Sequence, residues 1–499
     1  MGPIGRTGLR RVGGRSLRIL YLDLDTLRPD HLGCYGYHRN TSPNIDRIAS
    51  EGVRFENYYT PDAPCLPSRS ALYACRFGIH TGVVGHGGTA ADPYIQGESR
   101  MFRTAASSTA WMSMLRRAGF RTVSISPFAE RHSAWWFYTG FNEMMNTGKG
   151  GLESADEVTP HALDWIDRNA KQDNWFMQLN LWDPHTPYRA PMQYGEPFEN
   201  DPPPAWMTEE IIRKHRASYG PHSACEPIHM DVPAEYKWPR VPTEIKTHRD
   251  WVRWINGYDT GIRYMDDHIG QVLNALADEG VLDDTVILVS SDHGENLGEL
   301  NVYGDHQTAD QCTSRIPMIV RWPGMKSGTV DEAFHYNLDL PPTMAELLDQ
   351  PIPPVWDGKT YAPTLRDGIE CGRDFLVVSQ CAWSCQRAVR FGPWIMIRTY
   401  HDGLKDFPPE MLFNVEEDPH ETNNLAEEHP DIVKYAEGLL HEWQAEMMTT
   451  SQTNVDPLWT VMREGGPLHT RGALEEYCKR LRRSGRAHHA EELEKRYGR

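Results

Sequence analysis

The chain has 499 residues, 39% of them hydrophobic and 24% charged, with a formal net charge of -18 at pH 7. That length buries a large core and suits one big domain with a smaller appendage. The acidic balance argues against nucleic acid or an anionic membrane as partner, and any anionic substrate must be caught by a local cationic pocket, which favours a small or singly charged one. Nine cysteines without dense or paired close spacing exclude a disulfide scaffold and a structural zinc module.

Residues 1–16 are rich in Gly and Arg, and no apolar stretch follows the Arg10-Arg11 pair, so they read as a flexible lead rather than a signal peptide. No run of about twenty apolar residues is present, and the expectation is a soluble, cytoplasmic protein. Residues 17–24 form a short β-rich apolar run that ends in Asp25-Thr26-Leu27-Arg28-Pro29, where proline stops regular structure. Residues 42–52 have helical spacing, with Ile45, Ile48 and Ala49 on one face. The alternation continues with a helix over 110–118, a strand over 122–126, a helix over 162–170 and a strand over 175–181. A helix over 261–279 leads into the strand 285–290 and then Ser291-Asp292-His293-Gly294-Glu295. Ligands gather beyond the carboxyl ends of strands in open α/β sheets, so Asp25 and Asp292-His293 should meet at one edge. Residues 202–242 read as an insertion over that edge. After Pro354 come short strands over 375–379, 387–391 and 394–398, then a helix over 430–449, the pattern of a smaller α+β subdomain. The last stretch, 464–499, is charged and helix-prone, a solvated arm or a contact for homo-oligomers.

The most specific local signal is Cys65-Leu66-Pro67-Ser68-Arg69, followed by Gly78-Ile79-His80-Thr81-Gly82. It resembles the Cys-x-Pro-x-Arg signature of the type I, formylglycine-dependent sulfatases of the alkaline-phosphatase-like superfamily. The resemblance extends over most of 17–324 and returns at Leu412-Phe413-Asn414 and Asn424-Leu425. It implies a large mixed, mostly parallel α/β sheet flanked by helices, with a C-terminal α+β subdomain. The expected divisions are a lead at 1–16, a catalytic domain at 17–355, the subdomain at 356–460 and a helical tail at 461–499.

The resemblance also implies the chemistry. A formylglycine-generating enzyme would oxidise Cys65 to an aldehyde, whose hydrate attacks sulfur with one hydroxyl and expels sulfate with the other, splitting one difficult step into two. Asp25, Asp292, His293 and modified Cys65 would hold a divalent metal, calcium first, with manganese, magnesium or zinc as alternatives. Asp23 would pair within the sheet edge. Arg69 would hold the hydrate. His185, in Trp182-Asp183-Pro184-His185, would contact sulfate or protonate the leaving group. Three departures from the family pattern stand out. Thr26 replaces a second aspartate, His306 stands where a sulfate-binding lysine is usual, as a titratable cation, and Pro127-Phe128-Ala129-Glu130-Arg131-His132 replaces Lys-x-His, leaving Arg131 and His132 as substitute donors. Trp135-Trp136-Phe137-Tyr138 is either core or the lining of a pocket for a sugar or aryl ring.

The expected function is hydrolysis of a small-molecule or saccharide sulfate ester. A phosphodiesterase or phosphonate monoester hydrolase using the same nucleophile is the nearest rival, and a binding protein that keeps Cys65 as a thiol is the rival of another class.

Overall fold

The computed structural model describes residues 17–94, 108–228 and 238–498. The lead at 1–16 and residues 229–237 of the expected insertion lie outside them. The first half of the chain supplies β1 (Arg18–Leu24), β2 (Val53–Tyr59), β3 (Asp62–Ala63), β4 (Arg121–Ile125), β5 (Glu143–Met145) and β6 (Trp175–Leu181). The second supplies β7 (Thr285–Ser290), β8 (Asn296–Leu297), β9 (Tyr303–Asp305), β10 (Met318–Arg321), β11 (Thr329–Tyr336), β12 (Phe375–Gln380), β13 (Cys385–Phe391), β14 (Trp394–His401) and β15 (Glu410–Asn414).

Every residue of β1 is buried, as expected of a strand covered on both faces. It pairs in parallel with β6 on one side and β7 on the other, in the middle of an eight-stranded sheet ordered β11-β2-β10-β7-β1-β6-β4-β5. Only β10 runs antiparallel to its neighbours β2 and β7. Side chains alternate across a strand, so Leu20, Leu22 and Leu24 enter one core while Ile19 and Tyr21 enter the other. The helices Pro43–Ser50, Ala155–Asn169 and His248–Asp278 contribute Ile45, Trp165 and Ile262 to the first. The helices Cys65–Ala74, Trp111–Arg117 and Leu340–Leu347 contribute Leu72, Trp111 and Met344 to the second. This is the mixed, mostly parallel α/β fold expected.

Two helices begin well before their sequence periodicity suggests. Ala155–Asn169 starts at a Ser154–Glu157 capping box and carries Pro160 in an early turn, which conceals its start. His248–Asp278 starts at Thr247, whose side chain accepts from the Asp250 backbone N–H, and its first turns are masked by tryptophans and charges.

A second sheet, ordered β15-β14-β13-β12-β3, packs its apolar face against the helix Pro430–Thr450. Its edge strand β3 lies just before Cys65 and pairs in parallel with β12, so the smaller sheet grips the segment that carries the nucleophile motif. The charged C-terminal stretch is folded onto the body instead of projecting into solvent. Helices Leu474–Arg483 and Ala487–Tyr497 bury Tyr477, Leu481 and Leu493 against Tyr219 and Leu404. Among the described residues no helix is long and apolar enough to cross a membrane.

Leu22 is fully buried between β6 and β7, and Leu22→Ala should lower stability by about 2–5 kcal/mol through lost burial and the cavity left behind. A denaturant titration that moves the midpoint at constant slope checks this.

Candidate active site

Cys65 opens the helix Cys65–Ala74, and one turn later Arg69 lies on the same face. Both are 1% exposed. Arg69 is held from β1, where its Nε donates to Asp23 Oδ2 at 3.1 Å and its Nη2 to Asp23 Oδ1 at 3.0 Å. Gln178 also donates to Asp23 Oδ2, at 2.7 Å, so Asp23 is consumed by pairing within the sheet. The remaining face of the guanidinium meets Asp292 Oδ2 and lies 3.1 Å from Asp25 Oδ2. One cation therefore faces three buried carboxylates.

That imbalance is visible in the titration of the acids. Burial and the neighbouring Asp292 push Asp25 well above the usual carboxylate range. Despite its ion-pair contact, neither oxygen of Asp25 receives a hydrogen bond, and both are buried. Asp292 is driven the other way, because Arg69 and His293 outweigh its burial. His293 Nδ1 faces the Gly294 carbonyl at 2.7 Å, which assigns the proton to Nδ1 and leaves Nε2 as a lone pair, 3.1 Å from Cys65 Sγ. Oxygen or nitrogen atoms of Asp25, Asp292 and His293 and the sulfur of Cys65 lie within 4.8 Å of one another. Orphaned carboxylate oxygens, an excess of negative charge and an imidazole with its lone pair inward are the donor set a divalent cation needs, so the residues fit a metal.

Thr26 sits beside this cluster with φ 57°, a left-handed conformation that is costly for a β-branched residue. The turn is held by Thr26 N–H to Asp292 Oδ1 at 3.2 Å, Leu27 N–H to Ser291 Oγ at 3.0 Å and Tyr258 O–H to the Thr26 carbonyl at 2.8 Å. The ends of β1 and β7 are thereby stitched together.

Burial first, then Asp25 and Asp292, push the Cys65 thiol well above its ordinary value. A thiol held protonated in this way is a poor nucleophile and a poor redox centre.

The other candidates converge on the same sulfur from above. Nitrogens of His185 and His306 lie with Cys65 Sγ inside 4.8 Å, and the His306 ring is 4.1 Å from that of His293. Burial, with His293 beside it, pushes His306 down to about 3, so the expected titratable cation is a neutral imidazole. His185 is also held well below its usual range, by burial and then by Arg131. Its Nδ1 faces the Thr186 carbonyl at 2.6 Å, so Nε2 carries a lone pair and becomes a donor only on protonation, which a bound anion favours. The His132 ring reaches the cluster, and the charge of Arg131 is felt there by Asp25, Cys65 and His185. A His132 nitrogen is within 4.8 Å of Cys65 Sγ, whereas Arg131 stacks over Trp182 at 5.2 Å and donates to the Gly150 carbonyl. Of the aromatic run, Phe137 is core and Trp135 is 64% exposed. His86, which sequence reasoning did not single out, joins Cys65 and His132 within the same 4.8 Å. The short spacing from Gly82 to His86 was its only signal.

The Sulfatase family model matches residues 18–350. The chain belongs to the sulfatase family. It is similar to the choline-sulfatase of Rhizobium meliloti (strain 1021), 24% identical over 445 residues covering 77% of this chain and 78% of that protein. In fold it is similar to a protein solved in complex with its substrate D-glucosamine-2-N,6-O-disulfate, with TM-score 0.68, 19% identity and coverage of 87% and 99%. It is also similar to a phosphonate monoester hydrolase from Silicibacter pomeroyi, with TM-score 0.64, 20% identity and coverage of 88% and 96%. As a family the sulfatases are sulfuric ester hydrolases that use a metal ion and a modified cysteine, which matches the donor set around Cys65.

Behind the sulfatase site, Glu295 is fully buried and accepts from Thr186 Oγ1 at 2.9 Å and Tyr188 O–H at 2.7 Å. Burial raises it to about 8. Because the unfolded chain releases this proton near the ordinary glutamate value, the native protein should lose stability as pH rises from about 5 to about 8. Glu295→Gln keeps the acceptor oxygen and removes the titration, so it should gain on the order of 3 kcal/mol relative to the native chain between those pH values. Chemical denaturation of both proteins at pH 5 and pH 8 measures the difference.

Proposed function

We propose that this sulfatase-family chain hydrolyses a monoanionic sulfate ester with a formylglycine made from Cys65. The observation that carries the reading is the buried Cys65 at the start of its helix, clustered with Asp25, Asp292 and His293 and one turn from the Arg69 guanidinium. Burial, Asp25 and Asp292 push this thiol well above its ordinary value, and the surrounding charge suits a hydroxyl-bearing side chain beside a cation.

Asp25, Asp292 and His293 would hold the cation, and the oxygen-rich set places calcium first, ahead of magnesium, manganese and zinc. Bound there, the cation would supply Lewis-acid charge for the nucleophile and the sulfate oxygens. Arg69 positions the nucleophile from the opposite side and is itself fixed by Asp23. His185 and His306 face the ester as neutral imidazoles, His185 being the one that takes a proton when an anion arrives.

Charge selects the substrate. No lysine stands at His306 or in the segment 127–132, and the imidazoles are neutral, so the pocket is tuned to one negative charge rather than to a dianionic phosphate monoester. The ester's organic part is a saccharide or a small alcohol, as the names of the relatives suggest, and the formylglycine comes from a generating enzyme of the host. Thr26 and the missing lysines also favour a second reading, a phosphonate monoester hydrolase, whose substrate carries the same single charge.

Cys65→Ala should reduce turnover of 4-nitrophenyl sulfate by about a thousandfold or more while leaving the melting temperature within a few degrees of the native value. Retained turnover would remove the nucleophile assignment, and faster turnover of a phenylphosphonate monoester than of the sulfate would select the second reading. Calcium at a hundredfold excess over its Kd should stabilise the native protein by about 3 kcal/mol, an effect that Asp292→Asn abolishes in a thermal melt.

A further inference from the structure

The C-terminal stretch reads as a solvated arm in sequence, yet part of it closes over the nucleophile. The helix Pro457–Arg463 packs on the turn Thr89–Ala91, and the Thr89 backbone N–H donates to Glu464 at 3.3 Å. Leu468 lies directly on Gly87, where any side chain would collide with it. This contact delivers His469. Its backbone N–H donates to the Ala382 carbonyl at 3.2 Å, and its ring stacks on Trp383 with centroids 4.4 Å apart and planes 20° from parallel. Two independent anchors thus fix the imidazole, and its Nε2 stands 3.0 Å from His86 Nδ1.

The contact has a consequence for His86. A hydrogen bond between two imidazole nitrogens uses one proton and one lone pair, so it assigns a tautomer as well as a ring orientation. The other nitrogen of His86, Nε2, is buried without a partner, and the ring shares the 4.8 Å cluster with Cys65 Sγ and His132. An unsatisfied polar atom in such a place calls for a ligand atom.

Resting on the sulfatase reading above, we propose that His86 binds the ester at the reaction site and that His469, from the C-terminal segment, is the positioning residue that holds the His86 ring. With His469 Nε2–H donating to His86 Nδ1, His86 presents its own Nε2–H to an ester oxygen, a neutral donor that adds no charge to the pocket. The catalytic domain is then incomplete without the end of the chain, and substitutions near residue 469 tune how the ester is held.

A double-mutant cycle tests this on folded, full-length protein. His86→Ala should lower kcat/KM for 4-nitrophenyl sulfate about tenfold, the scale of one lost hydrogen bond to a charged group. His469→Ala should lower it several-fold, His469→Gln should restore most of that loss because its amide N–H can occupy the Nε2 position, and the double variant should be no worse than His86→Ala alone. The same cycle is read in the affinity of Cys65→Ala protein for 4-nitrophenyl sulfate by calorimetry, which requires no formylglycine. Binding without turnover in the native enzyme would count against the sulfatase reading and leave this inference intact. Additive losses in both readouts, or a His469→Ala enzyme with native kcat/KM and affinity, would overturn it.

Discussion

The structure depends on one arrangement of charge. Arg69 is surrounded by Asp23, Asp25 and Asp292 in a space without solvent, and a single guanidinium leaves two negative charges in excess when all three acids are ionised. Buried charge of that kind is tolerated only when something else compensates it. Burial and Asp292 push Asp25 well above the usual carboxylate range, which lessens the excess, and a divalent cation would meet it fully. The three acids also differ in what surrounds them. Asp23 is saturated by Arg69 and Gln178, whereas the carboxylate of Asp25 accepts no hydrogen bond, and so the imbalance points at one side of the cluster.

The fold brings these groups together with little freedom. Adjacent parallel strands β1 and β7 end at Asp25 and Asp292, and the strained turn at Thr26 is tied to Asp292, Ser291 and Tyr258. The helix that carries Cys65 and Arg69 enters from the opposite face, pinned by β3 in the smaller sheet and by Ser68 Oγ donating to the Asp292 carbonyl at 2.6 Å. Side chains on rigid elements hold a reaction geometry better than loops do. The histidines complete the roof as neutral groups, which separates the work of binding one anionic charge from the work of balancing the acids beneath it.

Much of this is legible in the sequence, for identifiable reasons. β1, β6 and β7 are short, mostly apolar runs with Asp25, His185 and Asp292 within four residues of their ends, so strand ends and site residues announce each other. Cys65 and Arg69 are four residues apart, a spacing local enough to read. What sequence does not reveal is non-local. His306 looks like a substitute cation and is a neutral ring, because burial beside His293 decides its charge. Arg131 looks like a free donor, and its guanidinium stacks on Trp182 while one nitrogen donates to the Gly150 carbonyl. His469 lies in a charged segment whose composition matches a solvated tail, and only the packing of Leu468 on Gly87 and of the ring on Trp383 brings it to the site. The early starts of two long helices are hidden by Pro160 and by the tryptophans after Thr247.

The account stands or falls on the state of Cys65 in active enzyme. Peptide mass spectrometry across residues 61–76, on protein purified from its native host and shown to turn over a sulfate ester, reads that state directly. The account predicts the aldehyde of formylglycine or its hydrate at Cys65. An unmodified thiol in protein that retains turnover would contradict it.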